Sequence, residues 1–257
     1  MKTGIQTSLH LLWRRLVFWV GDIRKLAHFP WITWDVHEHR VRHEEIMAAL
    51  PQIRYGDIGL HRDAGYLSNL AIPGFMKHAW IFTEDGPCPM IMEAISEGVV
   101  HRSAVYPMHS DYTLILRPRG VSENERKGAC LKAKRVGGAS YDVDFKFNIE
   151  EELRHYGGQD TQGAQQDLGA AENNLQRFDM AFSCTELVSY CWWHKREQLG
   201  LYRSMHQGKY SIIADDFLNE NWEIVWMSES VTEEAARTLK VPEKGLEMIR
   251  AWRAGRT

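Results

Sequence analysis

An α+β domain is predicted by two observations. Beyond Pro51 the sequence breaks into short apolar runs bounded by glycine, proline and charge, the texture of strands and turns, while helical spacing appears before residue 50 and again after residue 183. Strand-like segments gathered in one stretch, with helices elsewhere, suit an α+β domain rather than an alternating parallel sheet. At 257 residues, 44% hydrophobic and 25% charged, the chain has the composition and length for one large globular domain with attached segments.

The first segment, residues 1–50, has Leu9, Leu12, Trp13, Leu16, Val17, Trp19 and Val20 at helical spacing, followed by Trp31 and Trp34 after Pro30. An amphipathic helical segment packed on the domain is expected. The alternative is peripheral membrane contact through residues 9–34, favoured by the tryptophans and by Arg14, Arg15, Arg24 and Lys25. Arg14 and Arg15 interrupt the apolar run well short of the roughly 18 residues a span requires. Neither a membrane span nor a cleaved secretory signal is expected, which points to a cytoplasmic location or the periphery of an inner membrane. Within His37-Glu38-His39-Arg40-Val41-Arg42-His43, His39 and His43 could share a helix face like two metal ligands. The order lacks the zinc-protease pattern and its dense charge reads as a solvated helix, so no metal site is expected.

Candidate strands follow at Asp57–His61, Lys77–Thr83, Met90–Ile95 and Tyr112–Arg117. Between the second and third, Glu84-Asp85-Gly86-Pro87 reads as a hairpin turn. The polar, glycine-rich stretch 155–175 reads as a surface loop. A helix is expected over Cys184–Gln198, a strand at Trp222–Met227 and a C-terminal helix from Thr232. The domain boundaries that result are 51–230, with 231–257 as a helical extension.

With 31 basic against 34 acidic residues and no basic stripe among aromatics, nucleic acid is excluded as an expected partner. The four cysteines, at 88, 130, 184 and 191, lack metal-ligand spacing and are expected to be reduced thiols. Cys184 and Cys191 stand two helical turns apart, roughly 10 Å, beyond disulfide reach.

Chemistry concentrates at Phe182-Ser183-Cys184-Thr185-Glu186. Ser183 followed by Glu186 fits a capping box, which starts a helix at Ser183 and puts Cys184 in its first turn. Unpaired backbone N–H groups and the positive end of the helix dipole favour a thiolate over the free thiol, whose pKa is about 8.5. The same N–H groups could hold an oxyanion. A buried structural cysteine is the competing reading, and Cys191, deep on the apolar face, exemplifies it. A thiolate needs a base. Strand alternation puts His78 on one face with Trp80 and Phe82, where a satisfied core histidine is the ordinary occupant. In the next strand Glu93 shares a face with Ile91 and Ile95, and a carboxylate there is costly without a partner. A hairpin would bring Glu93 within reach of His78, fixing the tautomer that leaves the other ring nitrogen for the thiol. Cys184, His78 and Glu93 are therefore the candidate catalytic residues.

With those residues located, the chain resembles the circularly permuted papain-like hydrolases of the NlpC/P60 superfamily, in particular the YiiX/YebB-like group. The resemblance rests on Tyr55-Gly56-Asp57-Ile58-Gly59-Leu60, His78-Ala79-Trp80-Ile81-Phe82, Met92-Glu93-Ala94 leading into Gly98-Val99-Val100, Tyr141-Asp142 with Phe145, and Cys184-Thr185-Glu186-Leu187-Val188. It extends from about residue 51 to about 227, taking in Ile213-Ala214-Asp215-Asp216-Phe217, with the histidine before the cysteine as in the family. Thr185 stands where the family has serine, and the stretch from Tyr141-Asp142 to Cys184 is longer than typical.

The resemblance implies a permuted papain-like core, an antiparallel sheet packed against the helix that bears the nucleophile. It also implies a cysteine hydrolase or acyltransferase with Cys184 as nucleophile, His78 as base and Glu93 as third member. Tyr141, Trp80 and Ser183 are the candidate substrate-binding residues. The implied substrate is a small molecule, a lipid or a peptide with an amide or ester bond, and the implied cofactor is none. A non-catalytic module that holds an acyl chain or peptide in the same fold is the alternative.

Overall fold

The computed structural model describes residues 12, 16, 19–20, 23–25, 32–34, 39–142, 181–206 and 209–255. The glycine-rich stretch 155–175 lies outside them, as do His37, Phe145 and most of the first 22 residues. Among the described residues no helix is long and apolar enough to cross a membrane.

Two short strands, β1 (Ile23–Lys25) and β2 (Ile32–Trp34), pair antiparallel inside the segment read as helical from sequence. Three-residue strands carry too little periodicity to be legible. Arg24, counted among cations for a lipid surface, is instead buried: its Nη2 lies 2.7 Å from Asp111 Oδ2, and its Nε donates to the Ala64 carbonyl at 2.7 Å. The ribbon is thereby pinned to the domain. Helix α1 (His43–Ala49) follows, with Arg42 as its N-cap.

The centre of the molecule is a six-stranded antiparallel sheet. Its strands are β3 (Ile58–Arg62), β4 (His78–Phe82), β5 (Met90–Ile95), β6 (Gly98–Ser103), β7 (Tyr112–Pro118) and β12 (Trp222–Met227), in the order β12-β7-β3-β4-β5-β6. The strands expected from sequence match β3, β4, β5, β7 and β12 to within a residue at either end. β6 completes a hairpin with β5 through Gly98, whose φ of +110° suits glycine.

Period-two alternation divides the sheet into two apolar faces. One presents Ile58, Leu60, Ala79, Ile81, Met92, Leu114 and Leu116 to helices α2 (Glu123–Arg135) and α3 (Cys184–Trp192). The other presents Trp80, Phe82, Ile91, Ile115 and Trp226 to Ile46, Ala49 and Leu50 of the α1 region. Gly59 is obligatory on this second face, since a Cβ there would fall inside the Trp80 indole. The large side chain of one strand occupies the space the neighbouring strand leaves empty.

Every residue of α3 is buried. Leu187, Val188, Cys191 and Trp192 are wholly removed from solvent, and each such large apolar side chain contributes about 1.5–3 kcal/mol. The helix expected over Cys184–Gln198 is continuous only to Trp192; a tighter 3₁₀ turn covers Trp193–Lys195 and one further turn runs Arg196–Leu199 before Gly200, in the left-handed conformation. The C-terminal helix likewise divides into α4 (Glu233–Thr238) and α5 (Glu243–Ala254), because Pro242 cannot continue a helix and starts a new one. Short pairs complete the structure: β8 (Ser140–Tyr141) runs parallel to β9 (Ala181–Phe182), and β10 (Ser204–His206) pairs with β11 (Lys209–Ser211).

Candidate functional site

The start of β4 is held by hydrogen bonds with Asp215, outside the sheet, and with the neighbouring strand β3. Asp215, buried, accepts from Phe75 N–H at 2.5 Å and Met76 N–H at 2.7 Å. Arg62 Nη1 donates to the Phe75 carbonyl at 2.9 Å, and Lys77 N–H to the His61 carbonyl at 2.9 Å. Burial pushes the Asp215 carboxyl up to about 6, against the pull of its two N–H donors. A residue that follows such a segment has little freedom of placement, and that residue is His78.

Trp80 pairs with Glu93 across the β4–β5 ladder, so His78 is the diagonal neighbour of Glu93 on the same face. The imidazole Nε2 lies 2.8 Å from Glu93 Oε2. With Nε2 engaged, Nδ1 is the nitrogen left for Cys184, whose sulfur acts on His78 chiefly by charge. The Cys184 sulfur is also 3.9 Å from the Lys77 carbonyl oxygen, so the first turn of α3 abuts the first residues of β4. Burial pulls the His78 imidazole down, but the sulfur of Cys184 and then the Glu93 carboxylate more than offset it, raising the group to about 10. Cys184, His78 and Glu93 thus meet, although 106 residues separate the histidine from the cysteine.

Glu93 has no solvent contact. Burial alone would make it a weak acid; the hydrogen bond and charge of His78, with the Arg102 guanidinium, hold it below the ordinary carboxylate range. Arg102 Nε faces the second carboxylate oxygen, Oε1, in an ion pair. Sequence reasoning missed Arg102. The signal was present: Val100 is the cross-strand partner of Glu93, and Arg102 is two residues along the same face. His61 was missed as well. It is the direct cross-strand partner of His78, with ring centroids 4.9 Å apart and Trp80 at 5.3 Å. Burial holds it neutral, its pKa lowered to about 4.

Tyr141 pairs with Phe182, two residues before Cys184. Burial and then the charges of Cys184, Glu186 and Asp142 push its hydroxyl well above the ordinary phenol range. Ser183 is the N-cap residue of α3, and its N–H donates to Glu186 Oε2 at 2.7 Å. Trp80, expected to touch substrate, is instead wholly buried between the sheet and the α1 region, where it supports the His78 ring.

The histidine pair near the start of the chain is not on one helix. Arg42 caps α1, so His39 precedes it and lies 3.4 Å from Asp63, while His43 stacks on His109. Among the described residues no cluster suited to a metal ion is present. All four cysteines are free thiols. Cys130 donates to the Phe82 carbonyl at 3.3 Å and is pushed up to about 12 by burial, and burial raises Cys191 further still. These two are chemically quiet core residues.

No protein-family model and no curated protein matches the chain. Among solved structures it is similar to one described as the metalloprotein yiiX from Escherichia coli O157:H7 (DUF1105). That likeness has a TM-score of 0.39 and 16% identity, over 77% of this chain and 86% of the other.

Proposed function

We propose that this chain is a thiol-dependent hydrolase or acyltransferase with the circularly permuted papain-like architecture of the NlpC/P60 superfamily, YiiX/YebB-like group. The observation that carries the reading is a single imidazole between a buried carboxylate and the sulfur at a helix start. Cys184 is the nucleophile, His78 the general base and acid, and Glu93 the group that holds the imidazole.

The thiolate of Cys184 attacks an amide or ester carbonyl, forming the C–S bond, while backbone N–H groups of the first turn of α3 stabilise the oxyanion. The tetrahedral species collapses with loss of the amine or alcohol, which takes its proton from the His78 imidazolium, and a thioester remains on Cys184. Water or an acceptor then gives a proton to neutral His78 and attacks the thioester. The C–S bond breaks and the sulfur returns to its starting state. We assign Tyr141, paired with Phe182 two residues before Cys184, and Ser183, the residue before the sulfur, to substrate contact.

The test uses nitrophenyl esters of increasing acyl length, with intact-mass and peptide-mass detection of acylated Cys184. The expected result is a thioester on Cys184 whose formation slows by about a hundredfold or more in His78→Ala. Absence of acylation with every ester, together with alkylation of Cys184 that is indifferent to His78→Ala, sinks the reading and leaves the non-catalytic binding module.

The substrate class we favour is lipid-like. Leu12, Leu16, Trp19, Val20 and Ile32 are all exposed, an arrangement that suits contact with a lipid surface through residues 9–34. Co-sedimentation with phosphatidylglycerol vesicles checks this: the wild type is expected to pellet and the Leu12→Glu, Leu16→Glu, Trp19→Glu variant to stay in solution. Equal recovery of both in the supernatant returns the choice to peptide substrates.

A further inference from the structure

We propose that Arg102 is a positioning residue for His78, acting through Glu93 as the outermost member of a row of alternating charge: Arg102 cation, Glu93 anion, His78 cation, Cys184 anion. The inference rests on the reading of Cys184 and His78 as a reactive pair and adds a fourth residue to it.

The geometry gives Arg102 this place. Glu93 has two carboxylate oxygens and no solvent. Oε2 is taken by His78 Nε2 at 2.8 Å, and Arg102 Nε faces Oε1. The guanidinium is brought there by strand register, since Val100 opposes Glu93 and Arg102 follows by two residues on the same face. Its plane lies 5.4 Å over the Tyr106 ring, which restrains it from the outer side. A buried carboxylate with only one cationic partner is costly, and one whose sole partner changes charge during a reaction is costlier.

That second condition is the functional point. When Cys184 carries an acyl group its sulfur is neutral, and His78 must lose its proton to serve as base. Glu93 then faces an uncharged imidazole, and Arg102 is the remaining fixed positive charge beside it. An arginine, which does not titrate in proteins, keeps the carboxylate ionised through the whole cycle. An ionised Glu93 accepts the hydrogen bond from Nε2–H and so leaves Nδ1 as the base.

The other groups that face this row are accounted for. On β3, His61 packs against the His78 ring and is held neutral by burial, adding no charge at neutral pH. On the far side, the charges of Cys184, Glu186 and Asp142 all act on Tyr141. Among the charged groups that act on Glu93, His78 and Arg102 are the two that favour its ionised form.

The experiment is the pH dependence of alkylation by iodoacetamide, read by peptide mass for Cys184 and, in the same sample, for the exposed Cys88 as an internal reference. Arg102→Gln is expected to move the acid limb of the Cys184 profile to higher pH by about one unit, roughly tenfold in rate at a fixed pH on that limb, and to leave Cys88 unmoved. In Glu93→Gln, where no carboxylate is left to hold, adding Arg102→Gln is expected to move nothing further, an outcome that a merely structural arginine does not produce. Should Arg102→Gln fail to fold, Arg102→Lys, which keeps the charge but not the planar fork, is expected to shift the limb in the same direction by less. An Arg102 variant that folds and whose Cys184 profile superimposes on that of the wild type overturns the inference. If His78→Ala also leaves the Cys184 profile unmoved, the reactive pair itself fails; if His78→Ala moves it and the Arg102 variants do not, only the role of Arg102 is lost.

Discussion

Glu93 illustrates how a single residue can be read for chemistry. A carboxylate on a strand face made of tryptophan and isoleucine is stable only with partners, and its partners are the His78 imidazole and the Arg102 guanidinium. Glu93→Gln keeps the shape and removes the charge, so the imidazole loses the group that selects its tautomer. Acylation of Cys184 is expected to fall by about a hundredfold or more, with the fold intact by circular dichroism. His61 supports a second prediction at this scale. Its pKa in the folded chain, about 4, lies below the ordinary 6.5 because burial disfavours the charged ring. The unfolded chain therefore binds more protons between those values, and stability present above pH 6.5 is lost as pH falls toward 4. The contribution is at most about 1.4 kcal/mol per pH unit. Urea melts between these limits are expected to show a shallower acid loss in His61→Phe than in the wild type; parallel curves count against a neutral buried ring.

At the scale of elements, the site depends on two chain starts, that of β4 and that of α3, and each is fixed by an acidic side chain bonded to backbone N–H groups. Asp215 holds Phe75 and Met76 ahead of His78, and Glu186 holds Ser183 ahead of Cys184. Asp215→Ala leaves two buried N–H donors without that acceptor, at a cost of about 1–3 kcal/mol each. The expected result is a lower urea midpoint together with slower acylation of Cys184, because the strand start that delivers His78 loosens. A variant that loses stability but acylates at the wild-type rate separates anchoring from site placement. The strands were legible because alternation, bounding glycines and the turn at 84–87 agreed with one another. α2 was not read, although Ser122 caps it and Glu125 accepts the Ser122 N–H at 2.6 Å, a capping box visible in the sequence. Its face is short of large apolar residues, so periodicity gave no warning.

For the whole molecule, the sheet separates two cores, and the N-terminal ribbon is joined to the domain by a buried ion pair and by backbone hydrogen bonds from Lys25 N–H to the Gly65 carbonyl at 2.8 Å and from Leu67 N–H to the Ile23 carbonyl at 2.9 Å. Arg24 and Asp111 are nearly without solvent, and Asp111 Oδ2 also accepts the Ala64 N–H at 2.6 Å. Removing one member leaves the other charge buried without this partner. Asp111→Ala is expected to cost about 3–5 kcal/mol in global unfolding by denaturant, and Arg24→Met to release the ribbon to proteolysis before the domain unfolds. Equal protease resistance of the Arg24 variant and the wild type contradicts the pinning role.

The amino-acid sequence alone determined the α+β class, the strands at residues 58–62, 78–82 and 90–95, and the start of a helix at Cys184. Each follows from interactions a few residues apart: alternation, a turn, a cap. It also supplied the pairing of Glu93 with His78, because one hairpin fixes which residues lie diagonally across it. Only the tertiary structure decided that the sulfur meets the imidazole, that Arg102 and His61 border the pair, that Arg24 is buried and that Trp80 faces inward. Those outcomes depend on which faces of distant elements come together. Local spacing sets what a segment can bury; the partner it is buried against is chosen only when the whole sheet closes.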